Sequence, residues 1–376
     1  MKMIAAVMDE QGLPAPYAES RPYRIEEVEL ESPSERQVLV EIRAAGLCHS
    51  DLSQVAGQRK RRLPVVGGHE GAGIVREVGR EVTELKPGDH VVMTVASGCG
   101  DCGYCMNTRP ALCEVVAASR VQGVLADGNS RLRRQGQTVY HFGGVSSFAQ
   151  YAVTDPRHLV KIDPEIPLEV AAMFGCAVVT GAGSVFNSVN LRPGHAVAVL
   201  GLGGVGLNGV MAARISGAWP IIGIDLNPGK FALAQELGCT HVLSALDPKI
   251  GESVKALTHG GVDFAFEMSG AKPALASAIA MTRKGGEVVC VGLSAAGDLY
   301  QFAHAALIAE EKVLRGSFMG SCVPHRDIPK YLRYYQEGRM PVDRLMSGTM
   351  RFDELNLNLD RLDRGEVVRQ MLLPHG

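Results

Sequence analysis

An excess of positive charge and long apolar runs are both missing from this sequence. Lys and Arg number 38 against 40 Asp and Glu, leaving a formal net charge of −2. Nucleic acids and anionic membranes select for clustered positive charge, so neither is expected as a partner. No apolar run approaches the roughly 20 residues that cross a bilayer. The stretch Met1–Val7 runs into Asp9 and Glu10 without a long apolar segment, so it does not read as a signal peptide. The expectation is a cytoplasmic protein. Internal repeats and low-complexity segments are also missing, which sets aside solenoids and tails. A single core seldom serves 376 residues, so two domains are expected.

What is abundant is glycine, at 44 residues, which fits tight strand-to-helix turns and close backbone approach to a ligand. Cysteine occurs nine times, an odd number, and four of the nine fall between Cys99 and Cys113. In a reducing compartment that crowding points to metal rather than to disulfides.

The first part of the chain reads as β-rich. Residues 37–42, 73–78, 89–94 and 148–153 are β-branched or alternating runs between Gly, Pro and Asp turn signals. The polar stretch from Cys113 to His141 reads as an excursion loop. Near residue 178 the pattern changes to short apolar strands alternating with helices, the signature of βαβ units. Six strands are expected, at 195–200, 220–225, 241–243, 263–267, 287–291 and 313–318, which complete a doubly wound parallel sheet. Cys290, inside one of them, is expected to be buried. From about Gly320 the chain is mixed and ends in a β-like run.

Gly201-Leu202-Gly203-Gly204-Val205-Gly206 satisfies G-x-G-x-x-G. Alone the match is weak, but a strand precedes it, a helix follows, and Asp225 closes the next strand about 20 residues on. The glycines let the backbone approach a pyrophosphate at the positive helix end. Asp225 would accept from the adenosine ribose hydroxyls and repel a 2′-phosphate, which favours NAD over NADP.

Cys99, Cys102, Cys105 and Cys113 are spaced to wrap one tetrahedral ion and leave no position for water, the closed kind of zinc site. A second site would have to be assembled from distant residues: Cys48, His69, Glu70 and Cys176. Two thiolates and an imidazole leave one position open, as a catalytic zinc requires. Singly, each is unremarkable, and a lone Cys such as Cys176 is usually a small core residue.

Taken together and in order, Gly46–Asp51, Gly67–Gly73, the four-cysteine lobe, Gly175-Cys176 and Gly201–Gly206 resemble the zinc-containing alcohol dehydrogenases of the medium-chain dehydrogenase/reductase superfamily. The resemblance covers essentially the whole chain. It implies a GroES-like β-rich catalytic domain at 1–177 and 320–376, interrupted by a Rossmann NAD-binding domain at 178–319. It assigns Cys48, His69 and Cys176 to a catalytic zinc with Glu70 close behind, and Cys99, Cys102, Cys105 and Cys113 to a structural zinc. Asp51 would orient the His69 ring. His49 and Arg369 would reach the cofactor pyrophosphate, Asp225 and Lys230 the adenosine ribose, and Thr180 and Val205 the nicotinamide. Ser50 would pass the alcohol proton along a relay. In relatives a histidine five residues after the first zinc cysteine ends that relay; Ser53 stands there, so water or a neighbouring group is expected to carry the last step.

The implied activity is NAD-linked interconversion of primary or aromatic alcohols and aldehydes, by a homodimer or alternatively a tetramer. A thiol-dependent formaldehyde dehydrogenase is the alternative within the family. Against it, residues 52–63 lack the acidic side chains that such enzymes present to glutathione. Instead that segment carries Arg59-Lys60-Arg61-Arg62, which reads either as a solvated loop, as charge runs usually are, or as an attractor for an anionic substrate such as an ω-hydroxy acid. The remaining histidines, among them His141 and His158, read as core or surface residues.

Overall fold

The computed structural model describes all residues, Met1–Gly376. The chain forms two units, one of Met1–Cys176, Val323–Leu332 and Val342–Gly376, the other of Ala177–Cys322 and Arg333–Pro341. Residues 333–341 therefore group with the second unit, although the chain has already returned to the first.

The first unit is built from two β-sheets. Lys2–Met8, Tyr23–Leu30, Leu132–Arg134, Gln137–His141 and Val65–Val66 close into a barrel, and a seven-stranded sheet is centred on Val38–Leu47 and Glu70–Val78. The long central strands alternate side chains between faces, but both faces are covered, so most of Val38–Leu47 is buried. The stretch 113–141 is not a loop, contrary to expectation. It holds the helix Glu114–Gln122, which ends at Gly123 in the left-handed region (φ 67°), and a hairpin of Leu132–Arg134 with Gln137–His141. The hairpin turn places Gln135 and Gly136 both at positive φ, 51° and 77°, as a two-residue turn of this hand demands. Its charged strand residues are paired: Arg134 with Asp9 and Glu26, Arg133 with Glu31. The strand thus carries polar residues without solvating them freely, which hid it from a hydrophobic pattern.

His141 and His158 of this unit are core residues. His158 Nδ1 faces the Thr94 carbonyl at 2.8 Å. His141 accepts from the Arg131 amide through Nε2 at 3.4 Å, and its Nδ1 is buried without a partner. Burial pushes the His141 imidazole down to about 3, helped by the nearby His158 and Arg131.

The second unit contains the expected six-stranded sheet, all parallel. Its order is His241–Ser244, Ile221–Asp225, Val197–Leu200, Val262–Glu267, Thr282–Cys290 and Val313–Gly316. Ala198, Leu200, Ile222, Ile224, Ala265 and Val288 form the core on one side of it with Val254 and Ala278 of the covering helices. This is a doubly wound sheet, with its ligand crevice expected at the carboxyl ends of the strands where the order reverses. Cys290 lies in it half-buried rather than buried. No single helix is long and apolar enough to cross a membrane.

Candidate active site and metal centres

Two strands and one helical turn of the first unit deliver three ligands. Cys48 follows Val38–Leu47, His69 precedes Glu70–Val78, and Cys176 ends the turn Met173–Gly175. That turn is fixed to the strand His90–Thr94 by the Thr94 hydroxyl, which donates to the Gly175 carbonyl at 2.6 Å. Position 175 must be glycine, because a Cβ there would lie 2.2 Å from the Met93 carbonyl oxygen. The donor atoms of Cys48, His69 and Cys176 lie within 4.8 Å of one another, and all three residues are buried.

One carboxylate sets this geometry. Asp51, fully buried on the helix His49–Val55, accepts from the Cys48 amide at 3.0 Å with Oδ2 and faces His69 Nδ1 at 3.0 Å with Oδ1. The proton of His69 is thereby held on Nδ1, and Nε2 is left as a lone pair. That Nε2 is buried with no hydrogen-bond partner. An orphaned buried acceptor beside two thiols is what a divalent zinc would satisfy, so the residues fit the ion. The Cys176 thiol, hydrogen-bonded to Cys48, holds the Cys48 thiol well below its ordinary value.

Glu70 is not part of this trio. Its carboxylate receives the Arg369 guanidinium, with Nη1 2.9 Å from Oε1 and Nη2 3.2 Å from Oε2. Arg369 keeps one guanidinium atom, Nε, buried without a hydrogen-bond partner. It is 3% exposed and spends a further donor on the Leu47 carbonyl at 3.1 Å. Ser50 and Ser53 lie half-buried on the helix after Cys48, with His49 exposed at its first position. Sequence reasoning missed Phe142, whose ring centroid is 5.1 Å from that of His69. No local pattern marks it, since it acts from the end of the unrecognised hairpin.

The four cysteines of the lobe also converge, with all donors within 4.8 Å. Sγ of Cys105 is 3.5 Å from Cys102 and 3.9 Å from Cys99, against roughly 3.8 Å for two sulfurs on one tetrahedral zinc. Amide N–H groups of Asp101 and Cys102 aimed at its sulfur pull the Cys99 thiol down to about 6. A thiolate is the form that binds metal, so this site fits zinc as well.

In the second unit, Gly203 caps the helix Gly204–Ile215 and Gly201 takes φ 97°. A Cβ at Gly206 would lie 1.7 Å from the Gly201 carbonyl oxygen, whereas one at Gly203 would meet nothing within 4 Å. The first glycine type closes the turn, and the second leaves an open cradle in front of a helix N-terminus, which fits a pyrophosphate. Asp225 accepts from the Leu202 amide at 2.7 Å and lies 3.1 Å from Lys230 Nζ, so these two predicted ribose residues are together. Thr180 sits on Ala177–Phe186, which packs so tightly on the fingerprint helix that a Cβ at Gly181 would be 2.1 Å from the Val205 carbonyl oxygen.

Comparison with known proteins identifies the family of both parts of the chain. Residues 34–164 match the alcohol dehydrogenase GroES-like domain and residues 204–337 the zinc-binding dehydrogenase domain. Benzyl alcohol dehydrogenase from Acinetobacter calcoaceticus superposes with a TM-score of 0.92 at 32% identity, covering 99% of each chain. An alcohol dehydrogenase zinc-binding domain protein from Burkholderia ambifaria gives 0.93 at 35%, covering 100% of this chain and 99% of its own. A protein described as a zinc-binding dehydrogenase from Sinorhizobium meliloti, bound to NADP, gives 0.80 at 25% over the full length of both. The chain belongs to the zinc-dependent alcohol dehydrogenase family of the medium-chain dehydrogenase/reductase superfamily. It is accordingly an oxidoreductase that acts on alcohols.

Proposed function

We propose that the protein interconverts primary or aromatic alcohols and their aldehydes by hydride transfer with NAD(H). The carrying observation is the buried trio of Cys48, His69 and Cys176, converged and oriented by Asp51. Bound there, zinc supplies Lewis acidity, making an alcohol O–H more acidic and an aldehyde carbonyl more electrophilic. Cys48 and Cys176 hold the ion as thiolates and His69 as a neutral imidazole whose tautomer Asp51 sets. Ser50, two residues past Cys48, takes the alcohol proton and passes it outward, with Ser53 or a water next in line. The first unit thus carries the chemistry and the second binds the nucleotide.

Asp225 supports NAD. A 2′-phosphate at the end of its strand would have to draw Lys230 off the Asp225 carboxylate and then face that charge. The exposed edge strand Val313–Gly316 supports a homodimer. A cytoplasmic location completes the reading.

The test is NADH absorbance with benzyl and medium-chain primary alcohols, with and without a chelator, repeated with NADP. Turnover with NAD that is lost on zinc removal is expected, and Asp225→Ser should shift the preference toward NADP. Failure with every alcohol and aldehyde while zinc stays bound would refute it, and formaldehyde with small thiols would be tried next.

A further inference from the structure

A second hold on His69 comes from a segment outside every site motif. Residues 142–148 lie along residues 66–70 and bond to the carbonyls of Val66, Gly67, Gly68 and Glu70. The Ser146 hydroxyl donates to Val66 at 3.1 Å, the Phe148 amide to Gly67 at 3.0 Å and the Ser147 amide to Gly68 at 3.1 Å. The Ser147 hydroxyl then donates to the Glu70 carbonyl at 2.8 Å. Ser147, which is fully buried, therefore holds the chain one residue before His69 and one residue after it.

The two segments touch closely. A Cβ at Gly68 would lie 2.5 Å from both the Phe148 amide nitrogen and the Ser147 hydroxyl oxygen, so no side chain fits between them. Ser146 sits at φ 52°, a left-handed conformation that a serine adopts only at a cost. In that position its hydroxyl also accepts from the Phe142 amide at 2.9 Å. This fixes the backbone of the residue whose ring centroid stands 5.1 Å from that of His69. Asp51 restrains the imidazole at Nδ1, while this segment restrains the backbone that carries it. A metal ligand needs both, because the place of Nε2 follows from the direction of the chain as well as from the rotation of the ring.

We propose that Ser147 is a positioning residue of the catalytic metal site, its amide and hydroxyl fixing the backbone on both sides of His69 so that Nε2 is aimed at the ion. The inference rests on the trio being the zinc site of the proposed dehydrogenase, and it adds a residue that acts through His69. Loss of the hydroxyl removes the hold on the Glu70 side and leaves the amide bond to Gly68 in place.

The test compares Ser147→Ala and Ser147→Thr with the wild type, with Ser130→Ala as control. Ser130, also buried in the first unit, donates to the Val139 carbonyl at 2.5 Å and lies outside the segment. Zinc release from the full-length protein to a chromogenic chelator is followed in two phases, the trio's being the one that His69→Ala eliminates. S147A should speed the trio's phase by about 10-fold and leave the lobe's phase unchanged. With cobalt(II) in place of zinc, S147A should shift the d–d bands. S147T keeps a hydroxyl and should restore both rate and bands, and S130A should match the wild type in both. Wild-type release and wild-type bands in S147A overturn the proposal. An equal effect of S130A also overturns it, because the cause is then general destabilisation. No readout needs an alcohol, so failed turnover leaves the decision intact. A wild-type trio that takes up neither metal overturns the proposal together with the reading beneath it. Should S147A not fold, Ser146→Ala read in the same way supplies the decision.

Discussion

The ion pair beneath the trio offers a direct measure of how strongly the site is built into the fold. Glu70 is 0% exposed and Arg369 3%, so neither charge has water as an alternative partner. Replacing Glu70 with Gln keeps the shape and one acceptor oxygen but removes the carboxylate charge, leaving the guanidinium to the Leu47 carbonyl and the neighbouring Cys48 and Cys176 thiols. Removing one partner of a buried pair costs about 3–5 kcal/mol, and the retained oxygen argues for the lower end. At about 3 °C per kcal/mol for a unit of this size, Glu70→Gln should lower the melting midpoint of the first unit by roughly 10 °C. The double variant with Arg369→Met removes both charges and should recover most of that loss, because a matched apolar replacement is often close to neutral. Burial pushes Glu70 up to about 7, so calorimetry of the three proteins at about pH 8, where the carboxylate is ionised, supplies the numbers. A drop under about 2 °C for the single variant, or a double variant less stable than the single, would refute the reasoning.

Two further predictions concern other parts of the first unit. Folded His141 titrates near 3 whereas the unfolded chain titrates near 6.5, so the unfolded state binds the proton first as pH falls. The contribution of His141 is therefore complete above about pH 6.5, and about 2 kcal/mol of stability is lost by pH 5; His141→Gln should flatten that part of the pH–stability profile, and a parallel slope would contradict it. In the lobe, Cys105→Ser should halve the zinc found by metal analysis while sparing the Cys48 site, and loss of both ions would mean that the two sites are not independent.

The parts of the molecule that sequence reading reaches are those whose cause is local. The parallel strands of the second unit are legible because burial on both faces makes runs such as Val197–Leu200 wholly apolar. The cysteine lobe is legible because all four ligands lie on one segment. The trio is different. Cys48, His69 and Cys176 come from separate elements, and only resemblance to a family joins them. The hairpin at 132–141 escaped because its strands are short and mostly polar, and Gln135-Gly136 is a weak turn signal. The helix Glu114–Gln122 escaped because it buries no residue and so shows no stripe. The direction of Glu70 was not legible either, since it is set by Arg369, which is remote in sequence and brought close by the pairing of Arg369–Leu372 with Val38–Leu47.

The two metal centres are consequently anchored in different ways. The lobe is self-contained, and a descendant could discard it by losing one surface segment, with the barrel left closed behind it. The trio is dispersed over the sheet, and the Asp51 carboxylate ties the backbone of one ligand to the ring of another. No single excision removes it without dismantling the sheet, so in this architecture the structural ion is the dispensable ornament and the reactive one is inseparable from the scaffold.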